Sequence, residues 1–239
     1  MKKQPSILAI VGGGYIASEL AHFYGILGTK INIIQRNDVL VPREDEEVAN
    51  KFTEIFSKKY NIYLGYNTES ASKDEVGNGN DGHLFRVTAK RASGKKIEIE
   101  SDQLLIAAGR VPNSDRLDLG KTNARTDERG FIMVNSYLET NINGIFALGD
   151  AVGRYMFEHA ANHEAQYAYN NILHPDRKVA VDYGVMPHSI FSSPQIAAVG
   201  YTEQDLKKQK IEYLRLVNPY IHTAMARQLK TVMALSSSW

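Results

Sequence analysis

The chain has 239 residues, 43% hydrophobic and 23% charged, enough to bury a core in one large domain or two smaller ones. A net charge of +1 gives no reason to expect nucleic acid or an anionic membrane as partner, and no apolar run is long enough to cross a bilayer. There is no cysteine, which excludes disulfide staples, thiolate metal sites and cysteine nucleophiles within the chain. The first residues, Met1-Lys2-Lys3, lead into a strand rather than into the apolar stretch of a cleavable leader, so a cytoplasmic protein is the default expectation.

Residues 7–11 are a short apolar β run that breaks into Gly12, Gly13 and Gly14, and a helical pattern follows over 15–27, stopped by Gly28. A strand feeding a glycine-rich turn that opens a helix is the setting in which backbone N–H groups and the positive helix end receive a pyrophosphate. Gly12 suits the tight turn, Gly14 the close approach of phosphate, and Ala17 is small enough for the helix to lie against the strand. Residues 30–34 supply the second parallel strand that this reading requires, and a turn that binds nothing is the alternative. The residue at the tip of that strand meets the adenosine ribose: an acid accepts from the 2′-hydroxyl of NAD, an arginine accommodates the 2′-phosphate of NADP. Here the tip reads Gln35-Arg36-Asn37, with Arg43 beyond it, which favours NADPH; Asp38 keeps NAD open, and plain surface arginines are the competing reading.

An amphipathic helix is predicted over 44–59, followed by short β segments at 84–89 and 96–100 separated by turn-formers such as those at 78–82. They read as an antiparallel excursion within the nucleotide domain. A β run at 103–107 ends sharply at Gly109 and Pro112. Beyond it, 130–135 and 144–148 are predicted as strands, the second leading into Gly149-Asp150. The Asp150 carboxylate is placed either to accept from a sugar or ribityl hydroxyl or to cap the next helix, predicted over 158–173. That helix carries His159 and His163 four residues apart and flanked by Glu158 and Glu164, so a metal site is weighed, but two histidines without a further placed ligand fall short of the four ligands of a closed zinc site. Strands are expected at 186–191, 195–201, 211–218 and 230–235, with a helix over 202–209 capped by Thr202 and Asp205, and Lys207, Lys208 and Lys210 read as its solvated face.

Four motifs then occur in order: Gly12-Gly13-Gly14-Tyr15-Ile16-Ala17-Ser18-Glu19, Ala107-Ala108-Gly109-Arg110-Val111-Pro112-Asn113, Gly144-Ile145-Phe146-Ala147-Leu148-Gly149-Asp150, and Pro187 with Pro194 and Val199-Gly200-Tyr201-Thr202-Glu203. Together they resemble the central and C-terminal parts of the FAD-dependent pyridine nucleotide–disulfide oxidoreductases, the family of dihydrolipoamide dehydrogenase, mycothione reductase, glutathione reductase and mercuric reductase. The resemblance covers nearly the whole chain. It implies an α/β fold with a Rossmann-like NAD(P)-binding domain at 1–110, the returning segment of an FAD-binding domain at 111–180, and part of an α+β interface domain at 181–239. By the same resemblance Gly12, Gly14 and Ala17 hold the pyrophosphate of the nicotinamide cofactor and Glu19 lies near nicotinamide and flavin. Gly109 marks the return to the FAD domain, Asp150 binds the flavin ribityl chain, and the start of the following helix faces the flavin pyrimidine.

The family's first FAD-binding βαβ unit, its redox cysteine pair and its His–Glu pair have no counterpart in this sequence, and His222 lacks the motif to replace the last. No catalytic residue is therefore assigned. The expected function is a portion of a flavoprotein that passes hydride from NAD(P)H to FAD and on to a disulfide, with NAD(P)H binding kept here and a homodimer mate or a complementary FAD-domain chain as partner. The alternative is an inert nucleotide-binding module. A dehydrogenase using nicotinamide alone is disfavoured, since no Tyr-Lys or His-Asp pairing is evident.

Overall fold

The computed structural model describes residues 3–75, 83–184, 186–222 and 235–238. The turn expected at 78–82 lies outside the described residues, as does the strand expected at 230–235 apart from Leu235. Two compact units emerge, one formed by the described residues of 1–109 and 189–239, the other by those of 110–188.

The first unit is built on a parallel sheet of strands β1 (Ile7–Val11), β2 (Lys30–Gln35), β3 (Asn61–Leu64) and β7 (Gln103–Ile106), in the order β3-β2-β1-β7. The central strands are covered on both faces, which is why they read as nearly continuous apolar runs. Leu8 and Ile10 join Ala17 and Ala21 of helix α1 (Tyr15–Ile26) and Phe52 and Phe56 of helix α2 (Glu46–Ser57) in one cluster. Ala9 points the other way, into a cluster with Val87, Ala89 and Ile99 of an antiparallel sheet, β4 (Tyr66–Glu75), β5 (His83–Arg91) and β6 (Lys96–Ser101). Phe52 and Phe56 stack with ring centroids 4.5 Å apart, and each buried ring contributes about 1.5–3 kcal/mol.

The stretch after residue 189 is packed onto the same sheet. Ile190 of β8 (His188–Ile190) and Ile196 of β9 (Ile196–Ala198) enter the α1/α2 cluster. Asp45 caps two helices: Oδ1 accepts from Glu47 N at the start of α2, while Oδ2 accepts from Glu203 N at 3.1 Å, at the start of helix α4 (Glu203–Gln209). The predicted capping box is present on α4, with Thr202 and Asp205 bonded reciprocally. Strand β10 (Leu216–Pro219) pairs antiparallel with β11 (Leu235–Ser238), so the strand expected over 211–218 is shorter and later than predicted.

In the second unit, helix α3 (Glu158–Leu173) is the long element, and the strands expected at 130–135 and 144–148 do not form. Single bridges replace them, Thr126 with Ile132 and Glu139 with Phe146. Side chains have taken the ladder's place: Asp127 Oδ1 accepts from the N–H groups of Arg129 and Phe131, and Asn135 Oδ1 from those of Tyr137 and Glu139.

One histidine gives this fold a pH dependence. His22 on α1 has a buried Nδ1 with no hydrogen-bond partner among the described residues, and its pKa is lowered first by burial and then by the Lys59 charge. Lys59 Nζ itself donates to Ser193 O at 2.6 Å, so it is fixed in place. The native state thus favours neutral His22, whereas the unfolded chain titrates near about 6.5. Stability is expected to fall as pH drops from about 6.5 toward the lower native value, and His22→Gln to flatten that slope. Urea midpoints between pH 5 and 8 check this; equal slopes in both proteins would refute it.

Candidate functional site

The turn between β1 and α1 is where the backbone leaves donors over. Gly12 N–H is used on Ile34 O at 2.9 Å, but among the described residues the N–H groups of Gly13 and Gly14 have no partner. Gly13 is buried, where an unpaired N–H is costly. The helix they introduce has no side-chain cap at Gly14 and no acid in its first turn. The neighbouring α2 is the contrast, with Asp45 as cap and Glu46 and Glu47 in its first turn. One helix N-terminus is neutralised by the chain's own carboxylates; the other presents bare donors and the positive end of its dipole.

The three glycines differ in kind. A Cβ on Gly12, at φ +114°, would stand 2.2 Å from Ala107 O, so the residue is fixed by packing of the turn against the strand end at β7. A Cβ on Gly13 would stand 2.8 Å from the Gln35 side chain, whereas at Gly14 it meets nothing within 4 Å. The open side of the turn is therefore at Gly14. Ala17 is fully buried against the sheet, as its small size requires. Residues 36–45 fold back over the turn: Val41 N–H donates to Gly13 O at 2.7 Å, and Val41 holds φ +46°, a conformation uncommon for a β-branched residue. Such strain persists where the surroundings over-determine it, and here it is adjacent to the turn.

The remaining residues singled out from the sequence are placed as follows. Gln35 ends β2 and is only 6% exposed; Oε1 accepts from Arg36 N at 3.0 Å and Nε2 donates to Val39 O at 3.3 Å. It shapes the loop and lies against Gly13, its amide oxygen and one of its two N–H groups engaged with the loop. Arg36 and Arg43 are exposed, and among the described residues no carboxylate pairs with either. Glu19, half-buried on α1, accepts from Phe191 N at 2.9 Å. Gly109 closes the first unit at φ +136°, a value only glycine adopts readily.

In the second unit, Asp150 lies in a short 3-10 turn, Gly149–Ala151, and is exposed. It does not cap α3, whose N-cap is Phe157, so the capping alternative for this aspartate is excluded. Its Oδ2 is held by Arg110 Nη1 at 2.7 Å, and Arg110 Nη2 donates to Met156 O at 2.7 Å. One carboxylate oxygen thus remains directed away from the Arg110 bond. His159 and His163 are engaged through Nε2, with Pro187 O at 2.8 Å and Asp182 O at 2.7 Å. Among the described residues no three His, Asp or Glu side chains group to hold a metal.

Sequence reasoning met Glu164 only as a neighbour of His163 when a metal site was weighed, and gave it no role of its own. It is fully buried; Oε2 accepts from Gly149 N at 2.5 Å and Oε1 from the Tyr183 hydroxyl at 2.6 Å. The signal was present: Glu164 stands four residues from both Ala160 and Ala168, on the buried stripe of α3.

Comparison with known proteins agrees with this geometry. The profile described as pyridine nucleotide-disulphide oxidoreductase matches residues 1–165. The chain is 35% identical over 213 residues to a dihydrolipoyl dehydrogenase of Vibrio cholerae, covering 89% of this chain and 43% of that one. It is 34% identical over 203 residues to a mycothione reductase of Mycobacterium tuberculosis, covering 83% of this chain and 42% of that one. Among solved structures, the HOCl-induced flavoprotein disulfide reductase RclA of Escherichia coli superposes with a TM-score of 0.81 at 26% identity, over 99% of this chain and 52% of that one. The chain spans about half or less of each of these relatives. An uncapped Gly12–Gly14 turn in a parallel sheet, a Gly149-Asp150 turn before a long helix, and a profile match over 165 residues lead to one conclusion: the chain belongs to the pyridine nucleotide-disulphide oxidoreductase family.

Proposed function

We propose that this chain supplies the nicotinamide-nucleotide site of a flavoprotein disulfide oxidoreductase, in which hydride passes from NADPH or NADH to FAD and its electrons on to a disulfide. The observation that carries the reading is the pair of partnerless N–H groups at Gly13 and Gly14, at the start of a helix with neither cap nor acid. They fit a pyrophosphate, which needs several converging donors and a side open enough to admit it. Arg36 and Arg43, exposed on the loop beyond β2, fit a 2′-phosphate, and the neutral, inward-bonded Gln35 offers no carboxylate to a 2′-hydroxyl. Asp150, exposed and oriented by Arg110, fits one hydroxyl of a flavin ribityl chain.

The absence of cysteine from the sequence means that the dithiol step needs residues this chain does not contain. The cysteine pair and the rest of the FAD site that this reading requires lie outside these 239 residues. The same observation favours the second reading, a nucleotide-binding module without catalysis. The absorption spectrum of the purified chain separates the two: flavin bands reducible by NADPH support the first, and a colourless NADPH-binding protein the second.

Cofactor choice is tested by titration. NADPH is expected to bind more tightly than NADH, and Arg36→Ala to weaken NADPH by about tenfold, the range of a lost charge-assisted hydrogen bond, while leaving NADH unchanged. Tighter NADH binding that ignores Arg36→Ala would reverse the assignment.

A further inference from the structure

Glu164 is a buried carboxylate whose partners are both neutral. It is fully inaccessible, sits on the inward stripe of α3, and among the described residues has no lysine, arginine or histidine paired with it. Burying a carboxylate is expensive, and without a cation only well-made hydrogen bonds offset the cost. Both oxygens have one: the Gly149 N–H on Oε2 and the Tyr183 hydroxyl on Oε1. For fold alone an apolar side chain would fill the stripe at lower cost, as Ala160 and Ala168 do on either side.

What the carboxylate grips is the residue before Asp150. Gly149 holds φ +66°, and a Cβ there would stand 3.1 Å from that of Ala161, so the turn lies directly on α3. Glu164 takes the N–H of Gly149 while Arg110 takes the carboxylate of Asp150, so the turn is held at both of its polar ends. Tyr183 is itself fixed from several sides. The Arg154 guanidinium lies over its ring at 4.0 Å, Tyr155 packs against it with centroids 5.4 Å apart, and burial with the Glu164 contact raises its pKa, keeping the hydroxyl a donor.

We propose that Glu164, anchored by Tyr183, is a positioning residue that fixes the Gly149-Asp150 turn so that the free oxygen of Asp150 is held ready for a hydroxyl of a flavin's polyol chain. This rests on the assignment of Asp150 to the flavin and adds the residue that sets its aim. Glutamine at 164 keeps an acceptor for Gly149 N–H and turns its amide toward the Tyr183 oxygen, so it preserves the grip; alanine loses it.

The test uses the full chain in four forms: wild type, Glu164→Ala, Glu164→Gln and Tyr183→Phe. Two readouts are independent of turnover, the shift and exchange protection of the Gly149 amide by NMR and the affinity for FAD by quenching of flavin fluorescence. NADPH affinity is measured in parallel as the control at the Gly12–Gly14 turn. Expected are loss of Gly149 protection and at least tenfold weaker FAD binding in Glu164→Ala, an intermediate loss in Tyr183→Phe, and FAD affinity within about threefold of wild type in Glu164→Gln, with NADPH unchanged throughout. Unchanged FAD affinity in folded Glu164→Ala overturns the positioning role alone. A wild-type chain that takes NADPH but no FAD overturns the assignment of Asp150 and the proposal with it. A Glu164→Ala that does not fold transfers the decision to Tyr183→Phe, where FAD affinity equal to wild type overturns the proposal.

Discussion

Gly12→Ala is expected to destabilise the first unit by about 3–5 kcal/mol, and Gly14→Ala, two residues on, to leave stability within about 1 kcal/mol while weakening NADPH binding tenfold or more. At Gly12 the added methyl would stand 2.2 Å from Ala107 O and 2.6 Å from Ala107 C, both backbone atoms that cannot rotate away. The residue would also have to hold φ +114°, where an L side chain is strained. Relief requires the β1 end to part from the β7 end, and the bonds at risk are Ala107 N to Val11 O at 2.8 Å and Gly12 N to Ile34 O at 2.9 Å. Gly14 has φ −82° and ψ −171°, extended backbone that alanine adopts freely, and open space where the methyl would go. On the proposed reading that space is the phosphate's approach to the partnerless N–H groups, so the methyl would obstruct it without disturbing the fold. Urea midpoints and NADPH titrations of both variants check the pair. Undiminished NADPH affinity in Gly14→Ala would remove the turn as the nucleotide site.

The contrast shows what was legible in the sequence. The β1–turn–α1–β2 unit could be read because its signals are local: an apolar run covered on both faces, glycines at fixed offsets, and helical spacing of apolar residues. The antiparallel excursion was legible in outline, yet β4 was not delimited, because Tyr66–Glu75 is polar along its length and nearly all exposed beyond Tyr66. Its pairing comes from β5, not from a face it must bury. The two strands expected in the second unit failed for the opposite reason. Residues 130–135 and 144–148 have strand-like composition, but the Asp127 carboxylate takes the Phe131 N–H and the Thr140 hydroxyl donates to Ile145 O, local bonds that a period-two pattern does not register.

The site divides along the same line. Glycine geometry was readable since it depends on the local backbone, whereas the bonds that polar side chains make depend on partners distant in sequence. Gln35 has the position of a ribose contact but spends its amide on the loop it begins. Glu19 is bonded to Phe191, 172 residues away. Asp150 reached its arginine 40 residues back, which decided against helix capping where spacing alone could not.

The second large effect is expected at Asn171, where aspartate in place of asparagine should cost the second unit about 3–5 kcal/mol at neutral pH. Asn171 is 1% exposed near the end of α3 and sews two separate stretches to the helix. Its Nδ2 donates to Val179 O at 2.9 Å and Tyr137 O at 3.3 Å, and its Oδ1 accepts from Val179 N at 2.7 Å. Aspartate keeps the shape and the acceptor but turns the donor into a second anionic oxygen facing two carbonyls, at a position only 1% exposed. The buried carboxylate favours its protonated form, which restores one donor, so its native pKa lies above the unfolded value of about 3.9. By linkage the deficit relative to wild type is greatest at neutral pH and shrinks as pH falls through that raised value. Referring each variant to wild type at the same pH cancels the His22 dependence. Chemical denaturation followed by circular dichroism from pH 4.5 to 7.5 reads the difference, and a deficit that stays constant across this range would mean that the Asn171 amide is not donating to those two carbonyls.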